Sequence, residues 1–256
     1  MIATDKLSLG ILFPIEAFEG PIPRMDKHAQ IALAQQAEAL GFHTLWVRDV
    51  PLFDPNFRDV GQIYDPWVYL AHIASLTQHI KLGTASMVLP LRHPIHFAKA
   101  AASIDCLFPG RLHLGVASGD RAIEYPAFAK PYASRSVDFM RQMETLRKLW
   151  SEDFPHYDTS FGKMQGEADF IPKPLNKNIP MYVTGHAGGI NLDWIATNGD
   201  GWIYYPREFT YTKNIIQNWK DALKKHNLPD KPYIQPLYID LVEDPNAEPI
   251  NIELGF

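Results

Sequence analysis

Short apolar runs alternate along the chain with longer segments whose apolar residues recur every three or four positions, and Gly, Pro or Asp stands at most boundaries. The run LSLGILFPI near the start reads as a first strand. HAQIALAQQAEAL (His28 to Leu40) has helical spacing and stops at Gly41, and Thr44 to Val47 is a short apolar strand ending in Arg48 and Asp49. Pro66 opens a second helix with Asp65 placed as its cap. Leu82 to Leu89 is a third strand that stops at Pro90. Pro94 opens the next helix, Pro109-Gly110 makes a turn, and Leu112 to Ala117 is a fourth strand ending in a polar, glycine-bearing loop. Ser134 to Trp150 is an amphipathic helix with Val137, Met140, Leu146 and Trp150 near one side. The segment 152–179, rich in Pro, Gly and Asp, reads as an inserted irregular loop with room for a short hairpin. The alternation resumes with a strand at Met181 to Gly185, a helix through Leu192 to Thr197, a strand at Gly201 to Tyr205, a helix from Thr212 to Lys225 and a seventh strand, YIQPLYIDLV.

Strands alternating with helices in this way predict an α/β fold built on parallel strands. Such a series either closes into a barrel or forms a doubly wound sheet. No G-x-G-x-x-G follows the first strand, so the dinucleotide fold loses its main support. The expectation is a single domain over 1–256, a (β/α)8 TIM-type barrel whose last β/α unit is missing or truncated. Either the sequence is shorter than the natural chain, or another subunit or a ligand covers the gap. A chain of this length, 46% hydrophobic and 21% charged, buries about three quarters of its unfolded surface without help from a partner.

Charge narrows the partners. With 29 acidic and 24 basic residues, net −5 and no basic run, the chain lacks the electrostatic footprint expected for nucleic acid or an acidic membrane. Small molecules and a second copy of the chain, as a homodimer, are the expected partners. A single cysteine, Cys106, excludes an internal disulfide framework and fits a reducing, cytoplasmic setting. The first apolar run is too short to span a bilayer and is broken by Gly10 and Pro14, and no cleavage pattern accompanies it.

Several polar groups fall at strand ends, where parallel β/α folds place their chemistry. Thr184, Gly185, His186, Ala187, Gly188 and Gly189 lie between a strand and a helix; their backbone either cradles a phosphate or only makes a tight turn. Asp49 serves either as a proton-transferring base or as a salt-bridge partner of Arg48 or Arg92. Arg48, Tyr204, Tyr205 and Arg207 either grip an anionic substrate or line the rim. His93 and His96, with Asp105 beyond, have a spacing a metal could use, but no carboxylates are grouped with them, so no metal is assigned. Asp120 and Glu124 form a carboxylate pair of glycosidase type, yet both fall in one loop, which makes a hydrolase a poor reading.

The blocks LGTASMVLPLRHPIHFAKAAASIDCLFPGRLHLGVASGD, IEYPAFA and IPMYVTGHAGGINLDWIATNGDGWIYYPR, in that order and spacing, resemble the bacterial luciferase-like family of flavin-dependent oxidoreductases. The resemblance covers nearly all of the chain up to about Asp240. It implies a barrel binding FMN, or the deazaflavin F420, at the carboxyl face of its strands, with reduced flavin commonly activating O2 to oxidise a small organic substrate and a flavin reductase supplying electrons. By the same resemblance Ala85 and Ser86 form a bulge, often with a non-prolyl cis peptide, beneath the flavin ring, and Ser118 faces the flavin. The loop from Thr184 to Gly189 holds the phosphate, with Arg135 and Ser136 as a second phosphate-side contact. One stretch departs from the luciferases: they carry histidine after the second strand, where this chain has Arg48-Asp49-Val50, which argues against light emission on long aldehydes. A non-catalytic flavin-binding protein is the alternative from another class.

Overall fold

In the computed structural model, residues 7–14, 27–56, 64–185 and 190–237 are described. In chain order the elements are strand β1 (Gly10–Leu12), helix α1 (Lys27–Ala39), β2 (Thr44–Val47), α2 (Pro66–Leu76), β3 (Lys81–Val88), α3 (Pro94–Leu107), β4 (Leu112–Ala117) and α4 (Glu124–Ala127). They continue with α5 (Arg135–Ser151), β5 (His156–Thr159), β6 (Gly162–Gln165), β7 (Met181–Thr184), α6 (Leu192–Asn198), β8 (Gly201–Ile203), α7 (Phe209–Lys225) and β9 (Tyr233–Ile234).

Among the described residues seven strands form one curled parallel sheet in the order β1-β2-β3-β4-β7-β8-β9. Every neighbouring pair is parallel, so all strand carboxyl ends lie along one edge. Among the described residues β1 and β9 are the two ends of the sheet. β5 and β6 form a separate antiparallel hairpin, so the inserted segment does contain the short hairpin for which its composition left room.

Helices α2, α6 and α7 begin where the sequence supplies caps. Asp65 Oδ1 accepts from the backbone of Trp67 at 2.9 Å and Val68 at 3.3 Å, with Pro66 as the first helical residue. Asn191 Oδ1 accepts from Trp194 N at 2.9 Å to start α6. At α7 the Glu208 carboxylate accepts from Thr210 N at 2.9 Å and Tyr211 N at 3.1 Å. That cap starts α7 at Phe209, three residues before the Thr212 start that periodicity suggests. Val137 also departs from expectation: it is 45% exposed, and the buried face of α5 runs through Phe139, Met143, Leu146, Leu149 and Trp150. The short turn α4 has too little periodicity to be seen in sequence.

The core lies between the sheet and its helices. Leu45, Leu82, Leu112, Leu114, Val116, Met181 and Val183 from the strands are buried with Leu70, Ile73, Phe97, Phe139, Ile195 and Trp219 from the helices. Ala98, Ala101 and Ala102 keep α3 close to the sheet. The amino-terminal edge is locked by Arg111, which is buried and donates from Nε to Ile80 O at 2.9 Å and from Nη1 to Ala74 O and Thr77 O, each at 3.0 Å. Beside it the Glu38 carboxylate accepts from Gln78 N at 2.9 Å and Ile80 N at 2.8 Å. This edge is stabilising scaffold, which leaves the opposite edge for chemistry.

Candidate functional site

The carboxyl ends of β2, β3, β4, β7 and β8 carry the polar groups. The pairing of β3 with β4 slips between Thr84 and Met87, and the Ala85–Ser86 peptide within that bulge is cis, as the resemblance implies. The slip sets Ser86 against Thr184 at the end of β7, where the two hydroxyls are hydrogen-bonded although 98 residues separate them. Thr84 Oγ1 donates to Gly115 O at 2.7 Å and ties the base of the bulge to β4.

Gly185 follows Thr184 with φ of +71°, a backbone conformation that favours glycine, and its N–H donates to Ile203 O at 2.9 Å. His186, Ala187, Gly188 and Gly189 lie outside the described residues.

Arg135 and Ser136 open α5. The Arg135 guanidinium lies 3.9 Å from the centre of the Tyr132 ring and donates from Nη1 to Tyr132 O at 3.2 Å, while its buried Nε has no hydrogen-bond partner. Ser136 is buried in the same turn. A fixed guanidinium with an unspent donor at a helix amino terminus suits a phosphate oxygen. Ser118, half-buried after β4, accepts through its backbone carbonyl from the Tyr125 hydroxyl.

Asp49 has a defined partner. Its carboxylate accepts from Arg92 Nε at 3.0 Å and Nη2 at 2.7 Å, and from Val88 N at 3.0 Å. Arg92 also reaches Asp65 at 3.2 Å, and its carbonyl accepts from Gln142 Nε2 at 3.0 Å. Of the two roles the sequence left open for Asp49, this geometry favours the salt bridge, and its partner is Arg92. The pair fixes the end of β3, and with it the bulge.

Arg48 is half-buried after β2 and Tyr205 is 38% exposed after β8. The Arg207 guanidinium lies 5.8 Å from the Tyr204 ring centre. Sheet order puts β3, β4 and β7 between the strands that carry Arg48 and Arg207. His93 accepts from Ile95 N at Nδ1 and donates from Nε2 to Phe161 O at 3.0 Å, so both its nitrogens serve the chain itself. Among the described residues no group of three or more His, Cys, Asp or Glu is placed to hold a metal ion.

Glu124 and Tyr125 were not expected to contribute in this way. Glu124 is 2% exposed and its Oε1 has no hydrogen-bond partner; burial pushes its carboxyl up to about 7. Spacing suggested only a pairing with Asp120, because nothing local marks a glutamate for burial.

No helix among the described residues is long and apolar enough to cross a membrane. Similarity to known proteins agrees with the fold. A protein of Mycobacterium tuberculosis strain H37Rv is 33% identical over 215 residues, covering 77% of this chain and 76% of that protein. The F420-dependent glucose-6-phosphate dehydrogenase of Gordonia bronchialis is 28% identical over 239 residues, covering 90% of this chain and 69% of the relative. The oxygenating constituent of 3,6-diketocamphane monooxygenase from Pseudomonas putida, solved with FMN, superposes with a TM-score of 0.69 at 18% identity and covers 87% of this chain. The chain spans 64% of the length of that protein. The family profile of the luciferase-like monooxygenases matches residues 7–242. The chain belongs to the luciferase-like monooxygenase family.

Proposed function

We propose that this protein is a flavin-dependent oxidoreductase, an FMN-dependent monooxygenase that acts on a small organic substrate with reduced flavin and O2. The observation that carries the reading is the contact of the Ser86 and Thr184 hydroxyls, which puts the β3 bulge beside the start of the β7 loop. In this reading the protein is a single barrel domain of (β/α)8 type, cytoplasmic and homodimeric, with electrons supplied by a separate flavin reductase.

A bound reduced flavin supplies two electrons, to O2 or to the substrate. The chain's residues supply the rest. Arg135 and Ser136, with the loop from Thr184 to Gly189, would hold the phosphate, which carries a charge of about −2. Ala85 and Ser86 would form the floor beneath the ring, with Ser118 at its edge, and Thr184 meets Ser86 where that floor joins the phosphate loop. Asp49 and Arg92 keep that floor in place. Tyr205, Arg207 and Arg48 face an anionic part of the substrate from the rim.

An F420-dependent dehydrogenase is the second reading, favoured by the similarity to the Gordonia bronchialis enzyme along 90% of this chain. Titration with FMN and with F420, followed by the visible spectrum, separates the two. Tight binding of FMN, with reduced FMN oxidised faster when substrate is present, supports the monooxygenase. Tight binding of F420 alone supports the dehydrogenase. Flavin binding without any substrate-dependent turnover indicates a non-catalytic flavin-binding protein, and binding of neither cofactor rejects the reading.

A further inference from the structure

Glu124 stands in the first turn of α4, on the segment that carries the chain from the end of β4 to α5. Burial weighs most against its charged form; of the surrounding charges Arg121 favours that form, while Asp49 and Asp54 from the segment after β2 and Asp120 from its own loop oppose it. The residue is buried and its Oε1 is unpartnered. As a carboxylate it would leave Oε1 without the donor that normally stabilises a buried anion.

The next residue connects this turn to the site. Tyr125 is 1% exposed and its hydroxyl donates to the Ser118 carbonyl. Its ring meets the edge of Tyr132 at 5.1 Å and 80°, and Tyr132 carries the Arg135 guanidinium on its face at 3.9 Å. Val88 and Leu91 complete the cluster. Gly119 has φ of +79°, and a side chain there would meet Val88 Cγ1 at 2.7 Å and Tyr125 Oη at 2.8 Å. One packed column therefore joins Glu124's turn to Ser118 and to Arg135.

We propose that Glu124 is a positioning residue that works as a neutral carboxylic acid, keeping α4 buried so that Tyr125 holds Ser118 and Tyr132 holds Arg135 in the flavin-receiving arrangement. The inference rests on the flavin reading of this rim. Once ionised, the carboxylate is a buried charge whose Oε1 has no donor, so the turn moves outward and the column loosens.

The test compares wild type with Glu124→Gln, an uncharged side chain of nearly the same shape. FMN affinity is measured for both by flavin fluorescence at about pH 6 and about pH 8. Taking the ratio of the two proteins' dissociation constants removes the titration of the FMN phosphate itself. The ratio of wild type to variant is expected near one at the lower pH and about ten at the higher, following the protonated fraction of an acid that titrates near 7. The variant's melting temperature is expected to match wild type at about pH 4, below the unfolded carboxyl's ordinary value of 4.5, and to exceed it at about pH 8. A ratio that stays the same at both pH values, with FMN bound, rejects the role of Glu124 alone. Absence of both FMN and F420 binding by wild type rejects the flavin reading, and with it this role. A melting difference that does not change with pH rejects the neutral carboxyl.

Discussion

Arg92 grips both oxygens of Asp49, with Nε at 3.0 Å from one and Nη2 at 2.7 Å from the other, although 43 residues separate the two in sequence. Asp49 Oδ2 accepts a third bond from Val88 N at 3.0 Å, so the pair determines where β3 ends. The Asp49 side chain is 3% exposed, and removing one partner strands the other. Asp49→Asn is expected to cost about 3 kcal/mol in chemical denaturation. Arg92→Lys, which keeps the charge and loses the fork, is expected to cost about half as much. The double variant Asp49→Asn/Arg92→Gln is expected to lose less than the sum of Asp49→Asn and Arg92→Gln measured singly. Loss of turnover with unchanged stability in Asp49→Asn would instead make Asp49 a base.

The Ser86 and Thr184 hydroxyls meet at the floor of the proposed site. Ser86→Ala and Thr184→Ala are each expected to weaken FMN binding about tenfold while shifting global stability by about 1 kcal/mol or less. Flavin fluorescence titration and thermal melts measure the two effects separately.

Arg135 keeps an unpaired Nε and a guanidinium fixed on Tyr132. Arg135→Ala is expected to weaken FMN binding about thirtyfold and to leave riboflavin, which lacks the phosphate, almost unaffected. Equal losses for both ligands would move the phosphate elsewhere on the rim.

His113 is 2% exposed, with its ring stacked 5.6 Å from that of His43 and edge-on to Tyr182 at 5.7 Å. Burial, aided by the nearby His43 and Lys81 charges, holds its pKa at about 3, against the ordinary histidine value of 6.5. The unfolded chain therefore binds a proton in this interval that the folded chain refuses. Stability from this group is complete above about 6.5 and is lost as the pH falls toward 3. His113→Phe is expected to melt like wild type near neutral pH and to lose less melting temperature on acidification. Matching acid profiles would count against this.

Much of the fold was legible in the sequence. Pro66 and Asp65 announced α2, Pro94 announced α3, and the strands around Leu45, Leu82 and Leu114 carried their apolar runs openly. These signals are local, and local propensity reports them. The early start of α7 depended on a glutamate acting as cap, which is weaker evidence than Ser, Thr, Asp or Asn in that position. The Asp49 salt bridge with Arg92 was one of two readings open in the sequence, whereas the burial of Glu124 was not visible there. A carboxylate that receives a guanidinium fork and one buried with an unpartnered oxygen look alike in a string of letters.

Residues a few positions apart dictate the alternation of strands and helices, the glycine turn after β7 and the residue types at the strand ends, so all of these can be read along the chain. Which of those residues meet is a property of the packed molecule. Sheet order and the slipped pairing of β3 bring Ser86 to Thr184, Arg92 to Asp49, and the Tyr125 column to Ser118 and Arg135. Such contacts arise from how distant elements pack around a shared core, and that packing also sets the burial that gives Glu124 and His113 their opposite dependence on pH.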